Sequence, residues 1–120
     1  MPEENPAGML IADTRNIVIK NNMILEQRGQ TIEIDSSSAD ADYNLFYNSD
    51  GSDPLGAPYT HDIWKINPLF INPVNGDFRL QAASPAIDAG VSLKNVTQDL
   101  NGIPRPQGAG FDIGPFEYLP

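Results

Sequence analysis

The groups in this chain that could do chemistry are carboxylates and rings. Asp35, Asp40, Asp42, Asp50 and Asp53 crowd into one short stretch. Calcium takes about six to eight oxygens from carboxylates and loop carbonyls. Asp50 and Asp53, in Asp50-Gly51-Ser52-Asp53, are therefore the candidate ligands, and calcium is the one cofactor the sequence suggests. The spacing and closing Glu of an EF-hand loop are missing, and the same carboxylates read equally well as a solvated loop. Tyr43, Tyr47, Tyr59, His61 and Trp64 bring rings together just downstream. Sugars stack on exposed aromatic faces, so these five form a candidate carbohydrate platform. Tyr43 and Tyr47 have the same strand parity and are expected on one face, opposite Phe46. The competing reading puts Trp64 and one Tyr over the apolar core beneath a loop.

Catalytic constellations are harder to assemble. His61 is the only His, and no nucleophile-elbow pattern surrounds any Ser. A lyase needs a base beside an acidic sugar, but Lys20, Arg28, Lys65, Arg79 and Lys94 are scattered. A glycosidase needs two placed carboxylates, and abundance of Asp is not placement. Asn95-Val96-Thr97 is a formal glycosylation sequon, meaningful only in a glycosylating secretory host.

The 120 residues that must position these groups are enough for one domain with a modest core. Sixteen acidic against seven basic residues give a formal net charge of −9. That disfavours nucleic acid, whose phosphates need clustered Lys and Arg, and an anionic membrane surface alike. It also disfavours an acidic glycan substrate unless calcium bridges. Cysteine is absent, which excludes disulfides and thiolate chemistry. No apolar run reaches transmembrane length, and Met1-Pro2-Glu3-Glu4 lacks the positive start of a signal peptide. The expectation is a cytoplasmic protein or a piece of something longer, and the sequence alone leaves the location open.

Ten Gly, eleven Pro and many Asn favour turns over long helices. Short β-branched bursts recur: Asn16–Asn22, Met23–Leu25, Thr31–Asp35, Tyr43–Asn48, Leu69–Ile71 and Asp77–Leu80. Thr31–Asp35 alternates apolar and polar residues, as a strand does. Seven or eight short strands are expected, with one helical turn at most, near Ser84–Ala89. Asn16-Ile17-Val18-Ile19 aligns with Asn44-Leu45-Phe46-Tyr47, and Asn44-Leu45-Phe46 loosely with Asn67-Pro68-Leu69-Phe70. Such irregular repeats suggest stacked β-coils with Asn corners, and a β-sandwich fits the strand count equally.

The second half carries a resemblance. It lies in Asn67-Pro68-Leu69-Phe70-Ile71-Asn72-Pro73, Gly76-Asp77-Phe78-Arg79-Leu80, Ser84-Pro85-Ala86-Ile87-Asp88-Ala89-Gly90, Asp99-Leu100-Asn101-Gly102-Ile103-Pro104-Arg105-Pro106 and Phe111–Tyr118. In this order the segments resemble the C-terminal part of right-handed parallel β-helix proteins of the pectate-lyase-like type, from residue 64 to 118. Asn67 stands where that family usually has Asp, and Pro115 where it usually has Ala. The resemblance implies an all-β fold, a short right-handed parallel β-helix with an irregular closing tail, of the exported bacterial kind. The expected layout is one domain, 1–120, with an N-terminal arm or partial cap at 1–15, coils at 16–80 and a closing tail at 81–120. In that tail Asp88, Asp99, Arg105, Asp112 and Glu117 read as architecture, with an Arg105 fork holding carboxylates across the end of the coils. Relatives do their chemistry on upstream coils. The expected function is therefore a structural or interaction module, with carbohydrate as its candidate partner, and with an enzyme acting on acidic glycans as the alternative. An open coil edge invites a second copy, so a homo-oligomer is expected.

Overall fold

The computed structural model describes residues 9–12, 15–27, 32–35, 39–54, 56 and 58–119, with the backbone alone for 9–12 and 32–35. The described chain is all-β, with one short 3-10 turn at Pro73–Asn75. Its strands are β1 (Met9–Ala12), β2 (Ile17–Lys20), β3 (Met23–Leu25), β4 (Ile32–Asp35), β5 (Ala39–Asp42), β6 (Leu45–Tyr47), β7 (Ile63–Trp64), β8 (Phe70–Asn72) and β9 (Asp77–Leu80).

Pairing is parallel for β1 with β4, β2 with β5, and β3 with β6 with β7. Among the described residues only β8 with β9, and an isolated bridge between Gln98 and Pro104, run antiparallel. A sandwich is built from antiparallel neighbours, so these ladders depart from that alternative. No described sheet closes into a barrel. Strand β1 lies inside the segment expected as an arm, so pairing begins earlier than residue 16. The expected helical turn at Ser84–Ala89 is a pair of successive turns, with Ile87 N donating to Ser84 O and Ala89 N to Ala86 O.

The register corrects the repeat. Met23 pairs with Leu45, and Ile17 pairs with Ala39, not with Leu45. The partner of Asn44-Leu45-Phe46-Tyr47 is thus Asn22-Met23-Ile24-Leu25. Asn also precedes β2 at Asn16, and matching that corner instead slips the alignment by one strand.

Corners are made by left-handed residues. Asn16, Asn21 and Tyr43 have φ of 59°, 62° and 59°. Asn tolerates this conformation through local hydrogen bonding; Tyr does so at a cost of about 1–2 kcal/mol. Asn21 and Tyr43 stack in register, with Asn21 N donating to Tyr43 O at 2.9 Å.

Two apolar clusters flank the β3–β6–β7 sheet. Ile24, Phe46 and Trp64 face one side and pack with Ile17, Ile19, Ala39 and Ala41. Met23, Leu45 and Ile63 face the other, and pack with Leu80, Ala86, Ile113 and Tyr118. Both faces are therefore covered, which is why Met23–Leu25 and Leu45–Tyr47 are continuous apolar runs. On the neighbouring β2–β5 sheet only one face is covered. Its outer side shows Val18, and Lys20 is paired with Asp40 at 2.9 Å.

The tail corrects a second expectation. It does not lie across the end of the stacked turns. It runs along their side, reaching the first turn, where Gly114 N donates to Asn21 O and Val91 N to Asn21 Oδ1, both at 2.8 Å. A Cβ on Gly90 would sit 2.7 Å from Asn21 Oδ1, so this approach requires glycine there. The last residues, Phe116–Leu119, do not form the edge strand their apolar content suggests. The carboxylates of Asp99 and Asp112 take the N–H groups of Glu117 and Tyr118 instead.

Candidate functional site

The tail residues converge. Asp99, Asp112 and Glu117 are all buried, and so is the Arg105 side chain, at 7% exposure. Asp99 Oδ1 accepts from Asn101 N (2.8 Å) and Ile103 N (2.9 Å), which folds the Asn101-Gly102 turn. Its Oδ2 accepts from Glu117 N at 2.8 Å. Asp112 Oδ1 accepts from Asp88 N and Oδ2 from Tyr118 N, at 2.8 and 2.6 Å. Glu117 accepts from Gln107 N and Asp112 N, at 3.2 and 2.9 Å. Each carboxylate thus closes a loop by binding backbone N–H groups, as short polar side chains do at turns. Asp88 is exposed and accepts from Gly110 N at 3.1 Å.

The Arg105 fork holds something other than expected. Its Nη1 donates to Asp112 O (3.1 Å) and Nη2 to Gly114 O (2.9 Å), so it mainly binds backbone carbonyls. Glu117 Oε2 lies 3.4 Å from Nη1, and the Phe111 ring centroid lies 6.0 Å from the guanidinium carbon.

Burial pushes the Asp112 carboxyl above its ordinary value, against hydrogen bonds from Tyr118 and Asp88 N–H groups. Burial likewise raises Glu117, with repulsion from Asp112 adding to it. A raised folded pKa contributes stability that is complete below the unfolded value and is lost as pH rises through the folded one. Asp77 behaves oppositely. Its Arg79 partner, 2.7 Å away, holds it down to about 2, so its contribution is lost as pH falls through that value. The urea midpoint is therefore expected to peak near pH 4, the ordinary carboxylate value, and to decline on both sides. Asp112→Asn combined with Glu117→Gln should flatten the alkaline decline and leave the acid one; an unchanged alkaline slope contradicts this assignment.

The aromatic residues divide instead of forming one platform. Tyr43 stacks on His61 with centroids 4.4 Å apart and planes within 5°. His61 Nδ1 is 2.8 Å from Asp42 Oδ2, while His61 N donates to Asp42 Oδ1 at 2.7 Å. Burial works against the charged Asp42, but bonds from the His61 ring, His61 N and Tyr43 N outweigh it and lower its pKa. Trp64 packs on Phe46, centroids 4.9 Å apart, in the first apolar cluster. Tyr47 belongs to the second cluster, and Tyr59 is exposed. Tyr43 sits at a left-handed corner before β6 starts, so strand parity does not carry from Tyr43 to Tyr47.

Tyr47 lines a groove of about 390 Å³ with Leu25, Phe70, Val74 and Phe78, and with Glu26 at its rim. The sequence reading missed Phe70 and Phe78, which meet edge to face across the β8–β9 hairpin with centroids 5.2 Å apart. Their spacing around the Asn75-Gly76 turn was the available signal. Both Glu26 oxygens are oriented by Ser49, through its N (2.9 Å) and Oγ (3.0 Å).

Asp50 and Asp53 turn to local partners. Asp50 Oδ1 accepts from Ser52 N at 2.9 Å and from Ser52 Oγ at 2.6 Å, and Asp53 pairs with Lys65. Among the described residues no group of three His, Asp or Glu side chains could hold a metal ion. Of the candidate bases, Lys20, Lys65 and Arg79 are paired with Asp40, Asp53 and Asp77, and Arg28 lies outside the described residues. Comparison with family models, curated proteins and solved structures finds no match to this chain.

Proposed function

We propose that this chain is a non-catalytic structural module, the closing part of a right-handed parallel β-helix of the pectate-lyase-like kind. Its tail acts as a clamp along the side of the coils. The observation that supports this most is the in-register row Met23, Leu45 and Ile63, one residue from each of three stacked strands, covered together by Leu80, Ala86 and Ile113. A clamp that spans three strands ties them into one cooperative unit, where stacked repeats otherwise contact only their neighbours. The chemistry-bearing tail groups are spent on that task. Asp99, Asp112 and Glu117 accept backbone N–H bonds, and the Arg105 Nη atoms bind carbonyls.

The module's carbohydrate association belongs at the Tyr47–Phe70–Phe78 groove. That groove combines aromatic faces with an oriented carboxylate, the combination a neutral sugar ring fits. One panel of neutral and acidic polysaccharides, with and without calcium, tests both statements. Neither unsaturated product nor new reducing ends should appear, and any retention should favour neutral glycans and fall in Phe78→Ala. Turnover above a heat-denatured control would overturn the non-catalytic reading.

A further inference from the structure

The groove beside Tyr47 has two unlike walls. One is Leu25 and Tyr47, register partners on the neighbouring strands β3 and β6. The other is the β8–β9 hairpin, which contributes Phe70, Val74 and Phe78, with Phe78 41% exposed. The groove therefore runs along the side of the stack. Coils placed before residue 1 would stack beyond Leu25 and lengthen the first wall, without roofing the space between the walls. The volume of about 390 Å³ is that of a small-ligand cleft.

Its charge has one sign. Glu26 stands at the rim, where a left-handed φ of 58° turns the chain out of β3. Ser49 fixes the carboxylate by one hydrogen bond to each oxygen, and a carboxylate can accept about four. Asp40, Asp53 and Asp77 each have a cationic partner, but among the described residues no Lys, Arg or His pairs with Glu26. No basic residue lines the groove either. The aromatic walls add to this, since the face of a ring attracts a cation. Asn67 supplies the neutral polar group. Its Oδ1 accepts from Leu69 N at 2.9 Å, which leaves the Nδ2 donors for a hydroxyl.

We infer that the sugar this groove takes is an amino sugar, a glycan of 2-amino-2-deoxyhexose rings with the amine protonated. The inference rests on the carbohydrate reading of the groove and narrows it. The apolar face of a ring lies on Phe78 and Tyr47, its ammonium meets Glu26, and Asn67 Nδ2 donates to a hydroxyl. Charge complementarity selects this occupant at two ranges. The net charge of −9 draws a cationic chain toward the surface, and Glu26 meets the ammonium at contact. An acidic sugar meets repulsion at both ranges. A Lys side chain of a peptide would reach Glu26 equally, but its narrow stem leaves the aromatic walls largely uncovered.

A cello-oligosaccharide and its 2-amino counterpart differ at each ring only in a hydroxyl against an ammonium, so the pair isolates the charge. In NMR titrations at mildly acidic pH and low salt, the amino form should bind at least about fivefold more tightly, the upper range of an exposed ion pair. Resonances of Tyr47 and Phe78 should shift with both ligands. Glu26→Gln should abolish the preference and leave the affinity for the neutral form unchanged. Asp40→Asn makes the same charge change at an exposed carboxylate outside the groove and should leave the preference intact. Phe78→Ala should weaken both ligands, with the far-ultraviolet spectrum unchanged. Raising the pH until the amine is neutral should remove the preference in the unaltered protein. Equal affinity for the two forms, or a preference that persists in Glu26→Gln, would overturn the amino sugar and leave the carbohydrate reading standing. Oligolysine binding as tightly, with the same loss in Phe78→Ala, would overturn the sugar as occupant. If neither oligosaccharide moves Tyr47 or Phe78, the carbohydrate reading itself falls.

Discussion

Arg105→Ala is expected to lower the unfolding free energy by about 3–5 kcal/mol, the range for removing one partner of a buried ion pair. The loss has two parts. Asp112 O and Gly114 O lose the donors that hold residues 112–114 beside β3 and β6. Glu117, whose side chain is fully buried, keeps its charge 3.4 Å from where the Arg105 guanidinium stood. Folded domains are stable by about 5–15 kcal/mol, so this one substitution removes a large share. Lys at 105 should recover only part, because a single ammonium cannot bridge two carbonyls as a planar fork does. The unpaired charge can be isolated. Adding Glu117→Gln to Arg105→Ala should cost less than Glu117→Gln costs alone, and acidification should partly rescue Arg105→Ala by protonating Glu117. Urea unfolding followed by Trp64 fluorescence reads all of these. A loss below about 1 kcal/mol, in the range of an exposed pair, would mean that the tail is held by its apolar contacts alone.

The residues of this cluster were legible in the sequence, and their geometry was not. Asp99, Arg105, Asp112 and Glu117 were singled out together, and the structure brings them together. The sequence reading paired charge with charge, since opposite charges are visible in a sequence. The backbone N–H groups that the carboxylates actually bind look alike at every position. The direction of the tail was hidden for a related reason. Ala86 and Ile113 announce that they are apolar, but not whether they cover the end or the side of the stack. The sign of a side-covered sheet was present in Met23–Leu25 and Leu45–Tyr47, which are apolar without alternation, beside Ile17–Lys20 and Ala39–Asp42, which open one face to solvent. The ring platform failed where parity was carried through Tyr43, a residue whose left-handed φ no propensity argument would assign to Tyr.

Asn44→Ala should be nearly as damaging as Arg105→Ala, at about 3 kcal/mol, although it removes neither charge nor large apolar area. Asn44 is fully buried. Its Nδ2 donates to Ile19 O (2.9 Å) and Asp42 O (3.2 Å), and its Oδ1 accepts from Asn22 N (3.0 Å) and Asn22 Nδ2 (3.2 Å). One amide therefore ties the β2–β3 corner to the β5–β6 corner with donors and acceptor all engaged. Truncation leaves Asn22 N and Ile19 O without partners, at about 1–3 kcal/mol for each buried unsatisfied group, and opens a small void. Asn44→Asp keeps the acceptor for Asn22 N but aims a carboxylate at two carbonyls, near Asp62, which already binds Asn44 N. It should be at least as destabilising as Ala at neutral pH and should recover in acid, when a protonated oxygen can donate again. Asn22→Ala, at a half-buried position with fewer bonds, should cost about 1 kcal/mol, the net worth of a typical hydrogen bond. That ordering, with Asn44 well above Asn22, is what urea midpoints should return. Equal losses would place the strength of the corner in the backbone ladder instead, and would leave the side-chain ladder as decoration on a stack held by its apolar rows.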